Sequence, residues 1–109
     1  MPELEQKPTL TDLQNYVRSM KTERGFNTND LVYECLLMGE EIGELYKAVR
    51  KSRPGSDIDE NSTFGDIGEE LADILIFTLS IANMANINLE QAFRDKEDRN
   101  KNRVWKKVS

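Results

Sequence analysis

The sequence predicts an all-α fold, a four-helix bundle formed by one domain of residues 1–109. Apolar residues recur three and four positions apart in four segments, and each segment begins near a residue that can cap a helix. The alternation of apolar and polar residues that is typical of strands does not occur. A chain of 109 residues with 38% hydrophobic residues forms one core and leaves no room for a second full-sized domain.

The first predicted helix follows a short N-terminal segment, residues 1–9, which we expect to be flexible. Thr11 is a candidate N-cap, and Gly25 marks the end of the helix. The apolar residues between them repeat as on one helical face: Leu13, Tyr16, Val17 and Met20. The pattern therefore predicts an amphipathic helix up to about residue 25.

The second predicted helix has the clearest boundaries. Asn29 or Asp30 can cap it, and it runs to about Arg53, where Pro54-Gly55 ends it. Its apolar face consists of Leu31, Leu37, Met38, Ile42, Leu45 and Val49. Residues 54–64 then have a composition that buries too little apolar surface to offset the entropy of ordering, and we expect a mobile loop there.

The third predicted helix runs from about Asp66 to Asn86 and is apolar on nearly all sides after Leu71. This pattern is typical of a buried helix rather than a surface helix. Asn88 is a candidate cap for a fourth helix, which becomes strongly charged through Lys107. Because one short domain cannot cover an apolar third helix with its other helices, we expect a homodimer or a homotetramer.

Composition limits the partners and the compartment. The net charge of -5 and the pI near 4.8 argue against binding to nucleic acid or to an anionic membrane surface. The longest apolar stretch, residues 71–85, is too short and too polar for a membrane span. The first residues lack the pattern of a secretory signal, so we expect a cytoplasmic protein.

The chain has one cysteine, Cys35, and no histidine. These counts exclude an internal disulfide and a cysteine-cluster zinc site, and they remove the commonest ligand of transition metals. A metal bound by this chain is therefore expected to have oxygen ligands. Mg²⁺ fits such a site best, with Mn²⁺ as a possible substitute.

Two helices carry acidic pairs at a spacing of three residues. Glu41 and Glu44 share a face of the second helix, and Glu70 and Asp73 share a face of the third. A solvated acidic face is the ordinary interpretation, and Glu44 has Lys47 three residues on. The third helix is different because no Lys or Arg occurs between residues 53 and 94. With apolar neighbours around Asp73, we expect this charge to need a cation.

The order Glu40-Glu41-x-x-Glu44, a spacer of 25 residues and Glu70-x-x-Asp73 resembles the MazG-like, all-alpha nucleoside triphosphate pyrophosphohydrolase superfamily. The resemblance covers residues 11–105. It implies a MazG-like four-helix fold in which Glu41, Glu44, Glu70 and Asp73 are the metal ligands. It also implies Glu41, with its neighbour Glu40, as the candidate catalytic carboxylate.

The same resemblance draws attention to Lys96, Asn100 and Arg103, which stand at i, i+4 and i+7. On one helix these three would share a face and could bind the phosphate chain of a substrate. The alternative is a solvated basic tail paired with the interleaved acids Asp95, Glu97 and Asp98.

Recognition of a base is less defined by the sequence. Phe26 and Trp105 are the candidates for stacking on a base, and Tyr16, Tyr33 and Phe64 are further aromatic residues that could do so. An aromatic residue on a helix more commonly belongs to the core. The sequence therefore leaves the preferred base open.

By resemblance, the expected activity is Mg²⁺-dependent hydrolysis of a nucleoside triphosphate to the monophosphate and pyrophosphate, in control or house-cleaning of the nucleotide pool. A relative that acts on phosphoribosyl-ATP, or one that acts on dUTP, is the alternative within the superfamily. An alternative of another class is a non-catalytic helical module that binds nucleotides or a protein partner, and a metal-dependent turnover assay separates it from an enzyme.

Overall fold

The computed structural model describes residues 2–61 and 65–108, and this part of the chain contains helices and no strands. The four helices are α1 (Leu10–Glu23), α2 (Leu31–Ser52), α3 (Ile67–Met84) and α4 (Leu89–Lys101). The predicted all-α class is confirmed. Helices α2 and α3 pack along each other, α1 packs on α3, and α4 packs on α1.

Local caps define where the helices begin. Asp30, Asp66 and Asn88 each accept a hydrogen bond from the backbone N–H three residues ahead. Asn88 is the predicted cap of α4, Asp30 is one of two candidates for α2, and Asp66 is predicted only as the approximate start of α3. The predicted cap at Thr11 is wrong, because α1 begins two residues earlier. Thr9 Oγ1 accepts from the Asp12 N–H at 3.1 Å, and the Asp12 carboxylate accepts from the Thr9 N–H at 2.9 Å. This reciprocal capping box satisfies two free N–H groups at once.

The core lies where α1 crosses α3. Val17, Met20 and Leu79 are buried there, and further apolar side chains of α1 and α4 pack around them. The side chain of Gln14 connects α1 to α3, to the turn after α3 and to the start of α4. Its side-chain amide donates to Asn83 Oδ1 at 3.1 Å and to the Ile87 carbonyl at 2.9 Å, while its Oε1 accepts from the Leu89 N–H at 2.8 Å.

Helix α3 is less buried than its sequence predicts. Leu79 and Ala82 are buried, but Leu71 is 52% exposed and Leu75 is 43% exposed. The reason is that α4 packs on α1 and leaves one face of α3 uncovered. The radius of gyration is 17.3 Å, whereas a compact domain of this length has about 13 Å. The chain therefore presents an open apolar surface along α3.

Helix α4 is shorter than the charged segment that predicts it. It ends at Lys101, with Asn102 as its C-cap, so the charged residues up to Lys107 are only partly helical. The predicted flexibility of residues 1–9 and of the loop 54–64 stays a prediction. Met1 and residues 62–64, with the candidate Phe64, lie outside the described residues.

No single helix among the described residues is long and apolar enough to cross a membrane. Only α3 and α4 taken together reach such a length and composition, and they meet at a bend of 101°.

The first prediction concerns the cap of α1. Thr9→Ala removes the capping hydroxyl and is expected to lower the free energy of unfolding by about 1 kcal/mol. Thr11→Ala, an exposed change inside the same helix, is the matched control and should change stability little. Urea denaturation measures both variants. A larger loss for Thr11→Ala than for Thr9→Ala would contradict the assigned start of α1.

Candidate metal centre

Three carboxylates meet where α2 and α3 run past each other. Glu41 of α2 and Glu70 and Asp73 of α3 each offer one oxygen, and these oxygens lie within 4.8 Å of one another. The three residues are hereafter the acidic triad. Glu70 and Asp73 come together because residues three apart share a helical face. Glu41 faces them because the helices are antiparallel, as the contacts of Glu34 with Ser80 and of Met38 with Thr78 show.

Glu70 is the buried member of the triad, with 6% of its surface exposed. Its Oε2 has no hydrogen-bond partner among the described residues. A buried acceptor without a donor is unfavourable, and a cation is one group that satisfies it. The donor set of the triad consists only of carboxylate oxygens, which suits a hard divalent cation such as Mg²⁺ or Mn²⁺. The residues present therefore fit a divalent metal.

Gly65 makes room for the Glu70 carboxylate. A Cβ atom at residue 65 would overlap Glu70 Oε1 and would lie 3.1 Å from Glu69 Oε2. A side chain at this position would force the Glu70 carboxylate to move. The segment leading into α3 thus limits where Glu70 lies.

The pKa of Glu41 is raised from its ordinary value of 4.5 to about 7. Burial is the main cause, followed by a side-chain hydrogen bond with Glu70 and by the charges of Asp73, Glu70 and Glu44. A proton on Glu41 relieves the repulsion within the triad in the metal-free protein. Because a bound cation would relieve the same repulsion, binding of a metal and binding of this proton should compete.

The structure brings together three of the four predicted ligands. Glu44 is half-buried and forms an ion pair with Lys47 at 3.5 Å, and its charge contributes to the pKa of Glu41. Glu40 is exposed. The expectation that Asp73 is surrounded by apolar side chains is wrong, because Asp73 is exposed, as are its neighbours Leu71 and Ala72.

A cavity of about 420 Å³ adjoins the triad and has Asp73 in its wall. It lies between α1, α2, α3 and the turn between α1 and α2. Phe26, a predicted base-stacking residue, lines this cavity and is 52% exposed. Lys21, Tyr33, Glu34 and Phe77 also line this cavity.

Glu34 and Lys21 form a buried ion pair that the sequence analysis missed. Glu34 is 1% exposed, and its Oε1 also accepts from the Ser80 hydroxyl at 3.2 Å. Lys21 Nζ donates to Ser80 Oγ at 3.0 Å, and burial lowers the pKa of Lys21. Glu34 Oε2, like Glu70 Oε2, has no hydrogen-bond partner among the described residues. A Glu between Tyr33 and the apolar run 35–38 is the sequence signal that could have indicated this pair.

None of the three predicted phosphate-binding residues, Lys96, Asn100 and Arg103, lines the cavity beside Asp73. Lys96 and Asn100 lie on α4, but Arg103 lies beyond its end at Lys101. The prediction that all three share one helical face is therefore wrong for Arg103. Its guanidinium lies 5.4 Å from the ring of Trp105, which is 74% exposed and does not line the cavity beside Asp73.

A family model described as the MazG nucleotide pyrophosphohydrolase domain matches residues 28–105 of the chain. This range includes α2, α3 and α4 and all three carboxylates of the triad. A comparison with curated proteins found no match.

The second prediction concerns the pH dependence of stability without metal. Since Glu41 has a higher pKa folded than unfolded, the folded protein binds more protons between about pH 4.5 and 7. Stability should therefore fall as the pH rises through this window. Glu41→Gln should remove the contribution of Glu41 to this loss of stability with rising pH. At pH 8 in chelator, the variant should melt a few degrees above the parent protein.

Thermal melts in chelator at pH 5, 6, 7 and 8 provide the measurement. Glu40→Gln is the control, because Glu40 is an exposed neighbour outside the triad, and it should keep the pH dependence of the parent. If Glu41→Gln and the parent protein lose stability equally with rising pH, the triad is not the source of the effect.

Proposed function

The chain belongs to the MazG nucleotide pyrophosphohydrolase family, and on this basis we propose that it hydrolyses nucleoside triphosphates to the monophosphate and pyrophosphate with Mg²⁺. Mn²⁺ is the expected substitute. The observation that carries the proposal is the acidic triad with a buried, unpaired oxygen on Glu70. Such an enzyme would serve nucleotide-pool control or house-cleaning.

The triad supplies the ligands in this proposal. Glu41, Glu70 and Asp73 would hold the cation, and Glu44 would join them if its ion pair with Lys47 opens. When bound, a divalent cation supplies positive charge against the phosphate oxygens and polarises the attacking water. Glu41, the member of the triad on α2, is the carboxylate to which we assign the proton of that water, as the resemblance to the family implies. Glu40 is the second candidate for this role.

The third prediction tests the hydrolase directly. The purified protein is incubated with Mg²⁺ and a panel of nucleotides that includes dUTP and phosphoribosyl-ATP, and pyrophosphate and orthophosphate are measured separately. We expect pyrophosphate as the product, with no turnover in excess chelator. Asp73→Ala should reduce turnover by about 100-fold or more, because it removes a ligand and its charge.

The helical circular dichroism spectrum of Asp73→Ala should be retained, since Asp73 is exposed. Asp57→Ala, a change at an exposed carboxylate outside the triad, is the control and should leave turnover unchanged. Full activity of Asp73→Ala, or full activity in chelator, would exclude a triad-based hydrolase.

We propose further that the working unit is a homodimer or homotetramer in which one chain completes the site of another. The single chain exposes 8703 Å², whereas a folded monomer of 12.6 kDa exposes about 6,200 Å². Leu71 and Leu75 on α3 belong to this excess surface. Lys96, Asn100 and Arg103 would then bind the phosphates at the triad of a partner subunit.

The fourth prediction tests this arrangement. Arg103→Ala should lower kcat/KM about 10- to 100-fold by removing a charge-assisted hydrogen bond to phosphate, and Arg103→Lys should restore only part of it. Lys101→Ala is the matched control and should behave like the parent protein. Sedimentation at micromolar concentration should give a dimer or larger species.

Mixing of two impaired variants separates a site shared between chains from a site within one chain. Co-refolded Asp73→Ala and Arg103→Ala chains should recover at most about a quarter of the parent activity, since half of the dimers are mixed and each has one intact site. An active monomer, or normal kinetics for Arg103→Ala, would contradict the proposal.

A further inference from the structure

We propose that the cavity beside Asp73 is the base-binding pocket of this enzyme, and that Lys21 and Glu34 select cytosine and adenine, whose Watson–Crick edges carry an amino group beside an unprotonated ring nitrogen. The inference rests on the proposed function, because it takes the acidic triad as the phosphate end of the same site.

The position of the cavity suits a nucleoside attached to phosphates at the triad. Asp73 belongs to both the triad and the cavity wall. Glu34 precedes Glu41 by seven residues on α2, which is about 10.5 Å along the helix axis. A ligand with its phosphates at Glu41 and Asp73 would therefore extend its base toward Glu34. The volume of about 420 Å³ lies in the range of roughly 300–1,000 Å³ that is usual for small-molecule sites.

The walls of the cavity are suited to a flat ring. Phe26 from the turn between α1 and α2, Tyr33 from α2 and Phe77 from α3 line it, together with the aliphatic side chains Met20, Leu37 and Ile76. Aromatic faces bind bases by stacking, and every base has such a face. Stacking therefore supplies affinity but does not select among bases.

Selection requires polar groups, and the buried ion pair provides them. Glu34 Oε1 is engaged by Lys21 and Ser80, whereas Oε2 is a buried acceptor without a partner among the described residues. An ammonium has three donors, and the described contacts of Lys21 Nζ with Ser80 and Glu34 use two of them. Both side chains line the cavity, and Lys21 Nζ also lies 5.8 Å from the centre of the Phe77 ring.

An amino group beside a ring nitrogen is the complement of this pair, because it presents a donor next to an acceptor. Cytosine and adenine carry this edge. Uracil and hypoxanthine carry an oxo group in place of the amino group, which would set an oxygen against the Glu34 carboxylate. Since Oε2 is buried, the flexible side chain of Lys21 has to shift slightly as the base enters.

The experiment compares nucleotides that differ at this group. In the parent protein, kcat/KM is expected to be about 10- to 100-fold higher for dCTP than for dUTP, for dATP than for dITP, or for both. The double variant Lys21→Met/Glu34→Gln removes both charges together, so that no unpaired charge is buried. It should bring these ratios near one and retain Mg²⁺-dependent turnover.

The matched control is Glu90→Gln/Arg94→Met, which removes an ion pair of 3.0 Å on the surface of α4. It should keep the ratios of the parent protein. If the double variant does not fold, Glu34→Gln alone makes the same test, because it keeps the side-chain shape and an acceptor for Lys21. Parent ratios at or below one for both pairs, or ratios retained after the substitution, would overturn the proposal.

Calorimetric binding of dCMP and dUMP, with and without Mg²⁺, distinguishes this inference from the proposed function. If no nucleotide is hydrolysed but dCMP binds about 10-fold or more tightly than dUMP and the double variant loses that difference, the pocket stands and the hydrolase fails. If nucleotides are hydrolysed without regard to the amino group, the hydrolase stands and the pocket fails.

Discussion

The repulsion between Glu41, Glu70 and Asp73 is the constraint on which the rest of this site depends. Three carboxylates whose oxygens lie within 4.8 Å of one another repel one another when all are charged, and burial adds to the cost of the charge on Glu41. The packing of α2 against α3 holds the backbones in place, so the compensation has to come from a proton or a cation. A proton on Glu41, whose pKa is raised to about 7, is the first solution, and a divalent metal would be the second. The fold thus keeps a site that gains stability when it binds positive charge.

Two buried carboxylates, Glu34 on α2 and Glu70 on α3, have different surroundings. Glu34 is paired with Lys21, a cation that α1 supplies from a distant part of the sequence. Glu70 has only carboxylates beside it in the triad. One end of the proposed site therefore carries a balanced pair suited to a neutral base, and the other carries an excess of negative charge suited to a metal and, through it, to phosphates.

The open face of α3 connects the site to assembly. The exposed apolar residues Leu71 and Leu75 lie on the same helix as Glu70 and Asp73. Covering them with a second chain would bury apolar surface and would also lower the dielectric around the triad. Association and metal binding would then reinforce each other, because each changes the environment of the same helix.

The sequence by itself determined the features that depend on near neighbours along the chain. The candidate caps Asp30 and Asn88, the start of α3 near Asp66 and the pairing of Glu70 with Asp73 follow from side-chain chemistry within one turn of a helix. The cap of α1 was misplaced because Thr9 and Thr11 offer the same hydroxyl, and only the reciprocal bond with Asp12 distinguishes them.

Only the tertiary structure decided which charges meet. Lys21 and Glu34 come together because α1 packs across α3, and no local pattern encodes that contact. The same packing leaves Asp73 exposed beside a cavity, although its neighbours in the sequence are apolar. Arg103 does not share a helical face with Lys96 and Asn100, because α4 ends at Lys101. Helical periodicity describes the faces of a continuous helix, but the crossing of helices and the points where they end depend on packing over the whole chain.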